Sequence, residues 1–152
     1  MRLYGVYNYS LFWREYKKRY NLIVLFFADT RYIFQRMISH KRKLGIVTSL
    51  KKNIAQDLLA KFDLSMFFSA MITPSDTTAR KPSPKPISLA IERLELTAHE
   101  VIYIGDKEID ILAAKNAGCK SGLAKWGNKV KIATVPDYRF KRLHDIIALC
   151  EG

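Results

Sequence analysis

A three-layer α/β fold, a mostly parallel sheet covered by helices, is what this sequence predicts, and three observations predict it. Short apolar runs rich in β-branched residues, Leu44 to Thr48 and Val101 to Ile104 among them, are too brief for helices and carry little polar alternation, as strands buried on both faces do. These runs take turns with helix-length amphipathic segments, the βαβα rhythm of a parallel sheet. Glycine or hydroxyl residues stand at the carboxyl ends of the runs, where an open parallel sheet holds its ligand. At 152 residues the chain fits one domain, long enough to bury roughly two-thirds of the surface that its unfolded form exposes.

Taken in order, residues 9 to 20 carry Phe12, Tyr16 and Tyr20 at four-residue spacing behind Ser10 as a cap, which predicts an amphipathic helix with an aromatic stripe. The apolar run Leu22 to Phe27 follows, and Asp29-Thr30 opens a second helix with Ile33, Phe34, Met37 and Ile38 on one face. Residues 44 to 48 read as a buried strand, 51 to 62 as a helix and 68 to 72 as a strand. A helix from about 84 to 94 is entered through Pro84 and Pro86. Thr97 and Glu100 have capping-box spacing, Val101 to Ile104 is a strand, 107 to 117 a helix, and Gly118 stands where a left-handed cap belongs. A strand near 120 to 123 and a helix from about 141 to 150 complete the chain.

Composition narrows the function classes. No run of about 18 apolar residues and no secretory signal is found, so a cytoplasmic protein with no membrane partner is expected. Cys119 and Cys150 are too few and too far apart for a disulfide framework or a zinc site, and His40, His99 and His144 lack metal-ligand spacing. The formal charge of +12 suits an anionic ligand, although the basic residues spread along helix-like segments as solvated faces do. Trp13, Tyr16 and Tyr20 offer stacking platforms for single-stranded nucleic acid. An aromatic stripe at helical spacing is more often a packing face, and no nucleic-acid partner is expected.

Three local signals carry chemistry. Thr48 and Ser49 end a buried strand, where a hydroxyl and the following amides can hold a phosphate oxygen or simply cap the turn. In Arg80-Lys81-Pro82-Ser83-Pro84-Lys85-Pro86, alternate prolines stiffen the loop and present Lys81 at the mouth of the next helix, either to a phosphoryl group or simply to solvent. In Gly105-Asp106-Lys107-Glu108-Ile109-Asp110, glycine permits a sharp turn after the strand, and two carboxylates one helical turn apart can hold a hard cation or orient its waters, or else Asp106 caps the helix and Asp110 faces solvent.

In this order and spacing, Thr48, Lys81 and Gly105-Asp106…Asp110 resemble the second, third and fourth motifs of the haloacid dehalogenase-like superfamily. The Lys-Pro-x-Pro-x-Pro loop and Gly-Asp-x-x-x-Asp-Ile-x-Ala-Ala-x-Asn-Ala-Gly are similar to its phosphoglycolate phosphatase branch. The resemblance implies a Rossmann-like core and a Mg²⁺-dependent phosphatase acting on a small phosphorylated substrate. In it Thr48 and Ser49 bind the phosphoryl group, Lys81 neutralises its charge, Asp106 is a Mg²⁺ ligand and Asp110 a supporting acidic residue.

The family's nucleophile lies in an Asp-x-Asp-x-Thr segment at the end of its first strand, and no such segment is present. Residues 22 to 43 match instead the linker and helix that return from a helical cap inserted between first and second motifs. The resemblance therefore implies an N-terminally truncated chain, with residues 1–22 the remnant of the cap and 23–152 a core lacking its first strand. The absent strand leaves two interior sheet edges unpaired, which together with the aromatic helix favours self-association. Leu22 to Phe27 is strand-length and is a candidate to fill the vacancy. Without the nucleophile the chain alone is expected to lack phosphatase activity. The alternatives are a non-catalytic module that binds a phosphate-bearing ligand, and a site completed by a second chain.

Overall fold

The computed structural model describes the backbone of residues 4–7, 20–126 and 131–151, and the side chains of 30–126 and 131–151. Its elements run β1 (Tyr4–Tyr7), α1 (Tyr20–Ser39), β2 (Leu44–Val47), α2 (Lys52–Lys61), β3 (Ala70–Ile72), α3 (Lys85–Arg93), β4 (Val101–Gly105), α4 (Glu108–Asn116), β5 (Lys120–Ala124), β6 (Tyr138–Phe140) and α5 (Ala148–Glu151). Six parallel strands form one sheet in the order β3-β2-β1-β4-β5-β6. The direction of winding reverses at β1 and β4, so the crevice beyond their carboxyl ends is where such a sheet binds its ligand.

This sheet corrects the expectation of a core without its first strand. The position between β2 and β4 is filled by Tyr4–Tyr7, inside the segment assigned to the cap, with Gly5 opposite Leu44 on one side and Ile102 on the other. Pairing on both sides removes the two interior edges, and the sheet ends instead at β3 and β6. Leu22 to Phe27 does not enter the sheet: it lies within α1, which begins ten residues before Thr30. Thr30 is accordingly a fully buried residue inside the helix rather than at its start. The aromatic helix expected near 9 to 20 falls on residues that lie outside the described ones up to Tyr20.

Period-2 alternation divides the core between the two faces of the sheet. Leu44, Ile46, Ile102 and Ile104 pack with Ile33, Phe34 and Met37 of α1 and with Leu143, Ile146 and Ile147 near the carboxyl terminus. Val47, Val101 and Tyr103 point the other way, against Ile87, Ala90 and Ile91 of α3 and Ala113 and Ala114 of α4. Phe34 anchors the first face edge-on to Phe67 and Phe68, with ring centroids 5.8 and 5.3 Å away. Of the apolar face expected for α1, Ile38 is the exception, being 42% exposed. The helix expected at 141 to 150 is a 3₁₀ segment, Leu143–Ile147, running into the short α5.

Candidate functional site

Thr48 follows β2 directly, and its backbone amide donates to the Ile72 carbonyl at 2.9 Å, carrying the ladder one residue beyond the strand. Its hydroxyl oxygen accepts the Leu50 amide at 3.1 Å, so the side chain does cap the turn; its own proton remains a donor for a ligand oxygen. Ser49 beside it is exposed. Both line a small cleft together with Thr73, Thr77, Arg80 and Lys81. Thr73 stands after β3 as Thr48 stands after β2, a strand-end signal that the sequence reading did not use. Asp76 shapes that wall by accepting the Thr73 amide and hydroxyl at 2.8 and 2.9 Å. The Arg80 guanidinium turns back on its own loop, donating to the carbonyls of Thr77 and Thr78 at 2.9 and 3.3 Å.

Lys81 is held more firmly than a solvated lysine. Its side chain is 7% exposed, and its ammonium donates to Asp110 Oδ1 at 2.5 Å and to the Tyr103 hydroxyl at 3.0 Å. The same ammonium lies 5.5 Å from the centre of the Tyr103 ring. Asp110, wholly buried, turns its second oxygen to the backbone amides of Asp106 and Lys107 at 3.2 and 3.1 Å, fixing the turn that leads into α4. Gly105 makes this possible: a β-carbon there would lie 2.3 Å from Asp110 Cβ and 2.4 Å from its carboxyl carbon. Burial, and then the neighbouring Asp110 carboxylate, push the Tyr103 phenol well above its ordinary value, so it stays protonated. Burial likewise pushes the Cys119 thiol up to about 12, which leaves no thiolate to act as a nucleophile.

The structure thus brings together Thr48, Ser49 and Lys81 at one cleft and Lys81 with Asp110 in one buried pair. It does not bring Asp106 and Asp110 together as paired metal ligands. Asp106, 2% exposed, follows β4, while both oxygens of Asp110 are committed to Lys81 and the two amides. Among the described residues no three acidic, histidine or cysteine side chains stand close enough to hold a metal ion. A hard cation such as Mg²⁺ asks for about six oxygen ligands, usually including one or two carboxylates. The described residues do not fit it. The first acidic residue of the chain is Glu15, so β1 is followed by Asn8-Tyr9-Ser10 with no carboxylate to complete such a site.

A parallel sheet wound in this order, with a hydroxyl after β2, a buried lysine in the loop between β3 and α3 and an aspartate after β4, defines a Rossmann-like α/β core. The chain belongs to the haloacid dehalogenase-like hydrolase family, whose profile it matches over residues 5–124, and within it to the phosphoglycolate phosphatase-like branch. A putative pyrophosphatase PpaX of Caldanaerobacter subterraneus is 28% identical over 155 aligned residues, covering 100% of this chain and 67% of that protein. The pyrophosphatase PpaX of Bacillus velezensis is 33% identical over 69% of this chain and 50% of its own length. A putative phosphoglycolate phosphatase structure from Lactobacillus plantarum superposes with a TM-score of 0.74 at 26% identity, covering 85% of this chain and 65% of that one. The chain therefore spans between half and two-thirds of the length of these relatives. Among the described residues no helix is long and apolar enough to cross a membrane.

Proposed function

We propose that this chain is a phosphatase relative that binds the phosphate group of a small ligand and does not hydrolyse its ester. The observation that carries this reading is the Lys81 ammonium, fixed by Asp110 and Tyr103 at the edge of a cleft lined by the Thr48 and Ser49 hydroxyls. One cation and several neutral donors suit a phosphate oxygen. The family reaction needs an aspartate to attack phosphorus, and the sequence has no aspartate after β1 before Asp29. Strand β1 stands where the nucleophile-bearing strand belongs, and the residues after it are an amide, a phenol and a hydroxyl.

Phosphoglycolate, pyrophosphate and other small phosphate compounds are the candidate ligands, the first two named for relatives in this branch.

Two measurements on one sample test the reading. Hydrolysis of an aryl phosphate in the presence of Mg²⁺ is expected at the level of the buffer blank, whereas calorimetric titration with inorganic phosphate is expected to show binding that is the same with Mg²⁺ and with EDTA. Turnover abolished by both Lys81→Ala and Asp106→Ala would overturn the non-hydrolytic reading. Absence of phosphate binding would overturn the ligand.

A further inference from the structure

We infer that Tyr103 and Asn116 are positioning residues for Lys81, Tyr103 fixing the ammonium and Asn116 fixing the loop that carries it; this rests on the phosphate-binding reading of the same cleft. The Lys81 ammonium has three donors. One goes to Asp110 and one to the Tyr103 hydroxyl. Two bonds at fixed directions, with the alkyl stem buried, define where the third points. Without the Tyr103 bond, the contact with Asp110 alone would hold the ammonium's rotation about its Cε–Nζ bond less firmly. A lysine is otherwise a flexible point charge, so this second contact turns it into an aimed donor. Tyr103 owes its place to strand alternation: Val101 and Tyr103 share the face of β4 that meets α3 and α4, so the hydroxyl reaches the Lys81 loop from beneath.

Asn116 acts on the backbone next door. Its side-chain amide donates to the Pro82 carbonyl at 2.9 Å, from the last residue of α4 to the residue after Lys81. The loop is thus tied to α4 at both ends of the helix, through Asp110 in its first turn and Asn116 in its last. Asn116 is exposed, and burial does not account for an amide at that position.

Nitrogen-15 spectra of the Lys81 ammonium and calorimetry with inorganic phosphate, run on wild type, Tyr103→Phe, Asn116→Ala and Asn116→Asp, test the assignment. In wild type the ammonium protons should exchange slowly enough to give a resolved correlation that surface lysines do not give. Tyr103→Phe should lose that correlation and weaken phosphate binding about tenfold, the loss of one hydrogen bond to a charged group. Asn116→Ala should keep the correlation and weaken binding about threefold, and Asn116→Asp should be worse, since it sets an acceptor against the Pro82 carbonyl. An ammonium in wild type that exchanges like a surface lysine, or a Tyr103→Phe protein with unchanged exchange, overturns the role of Tyr103. An Asn116→Asp protein that binds as wild type overturns that of Asn116. If wild type binds no phosphate, the ligand reading fails while the exchange data still decide the Tyr103 contact, so the two failures are distinguishable.

Discussion

Gly105 and Asp110 show how much of the site is decided by single atoms. Asp110 must approach the backbone at residue 105 closely enough to accept the Asp106 and Lys107 amides while still meeting Lys81. A methyl group at 105 would overlap the Asp110 carboxylate, whose nearer oxygen would be 2.6 Å away. Since the carboxylate is held on one side by a buried ammonium and on the other by a helix terminus, it has nowhere to retreat. Gly105→Ala should therefore cost on the order of 3 kcal/mol, part overpacking and part loss of the buried ion pair. In urea denaturation the Gly105→Ala, Asp110→Gly double variant should then be little worse than Asp110→Gly alone, because the three atoms nearest the new methyl all belong to the Asp110 side chain, its β-carbon included. Additive losses would refute that coupling. The sequence made the residues of this motif readable but not their division of labour. Two aspartates four apart suggested a cation, whereas the ammonium that claims Asp110 comes from 29 positions away.

The ends of the helices repeat one hydrogen-bonding pattern with different residues. After α1 the Arg42 amide donates to Met37 and the Lys41 amide to Ile38; after α2 and α3 the Leu64 and Leu96 amides donate five residues back to Leu59 and Ile91. After α4 the Cys119 amide does the same to Ala114, with Gly118 at φ +73°. Gly118 was legible as a cap because glycine announces a left-handed residue. Lys41, Asp63 and Glu95 occupy the same conformation, at φ 56°, 52° and 55°, and no residue type announces them. They carry a steric cost that glycine does not. Glu95→Gly should raise stability by about 0.5 to 1 kcal/mol, less the small contribution of its 3.7 Å surface contact with Lys43. A lower urea midpoint would show that the contact outweighs the backbone. The same limit explains the other elements. Strands β2 to β5 and helices α2 to α4 announced themselves by period and by capping residues. Strand β6 is three residues, only one of them buried, and its placement comes from pairing with β5. Strand β1 likewise takes its identity from its neighbours, and the apolar run at 22 to 27 fits a strand or a helix equally well until α1 is seen to continue through it.

At the scale of the whole molecule, the later part of the chain is fastened by carboxylates, and this sets how the protein should respond to acid. Asp137 bridges β5 and β6 by accepting the Ser121 amide and hydroxyl at 2.8 and 2.7 Å. Glu108, at the start of α4, accepts the Ala133 and Thr134 amides and the Thr134 hydroxyl, holding the segment that leads to β6. Asp145 accepts the Lys141 and Arg142 amides, and Asp76 fixes Thr73 and Arg93 at the cleft. Burial alone would raise Asp137 and Asp76, but the Ser121 and Lys120 bonds for one, and the Arg93 and Thr73 bonds for the other, outweigh it and lower both. The Thr134 hydroxyl lowers Glu108, and the Arg142 amide lowers Asp145. A carboxyl that is more acidic in the folded state than in the unfolded chain binds fewer protons when folded, so its contribution is present at neutral pH. That contribution is lost as pH falls from the unfolded values, about 4, through the lower folded ones. The urea midpoint should thus be level from pH 7 to about 5.5 and fall steadily below about pH 5. Asp137→Asn should start from a lower midpoint at pH 7 and lose less on acidification than wild type, since its share of the titration is gone. A wild-type midpoint at pH 3.5 equal to that at pH 7 would mean that these bonds do not hold β6 and the cleft wall in solution.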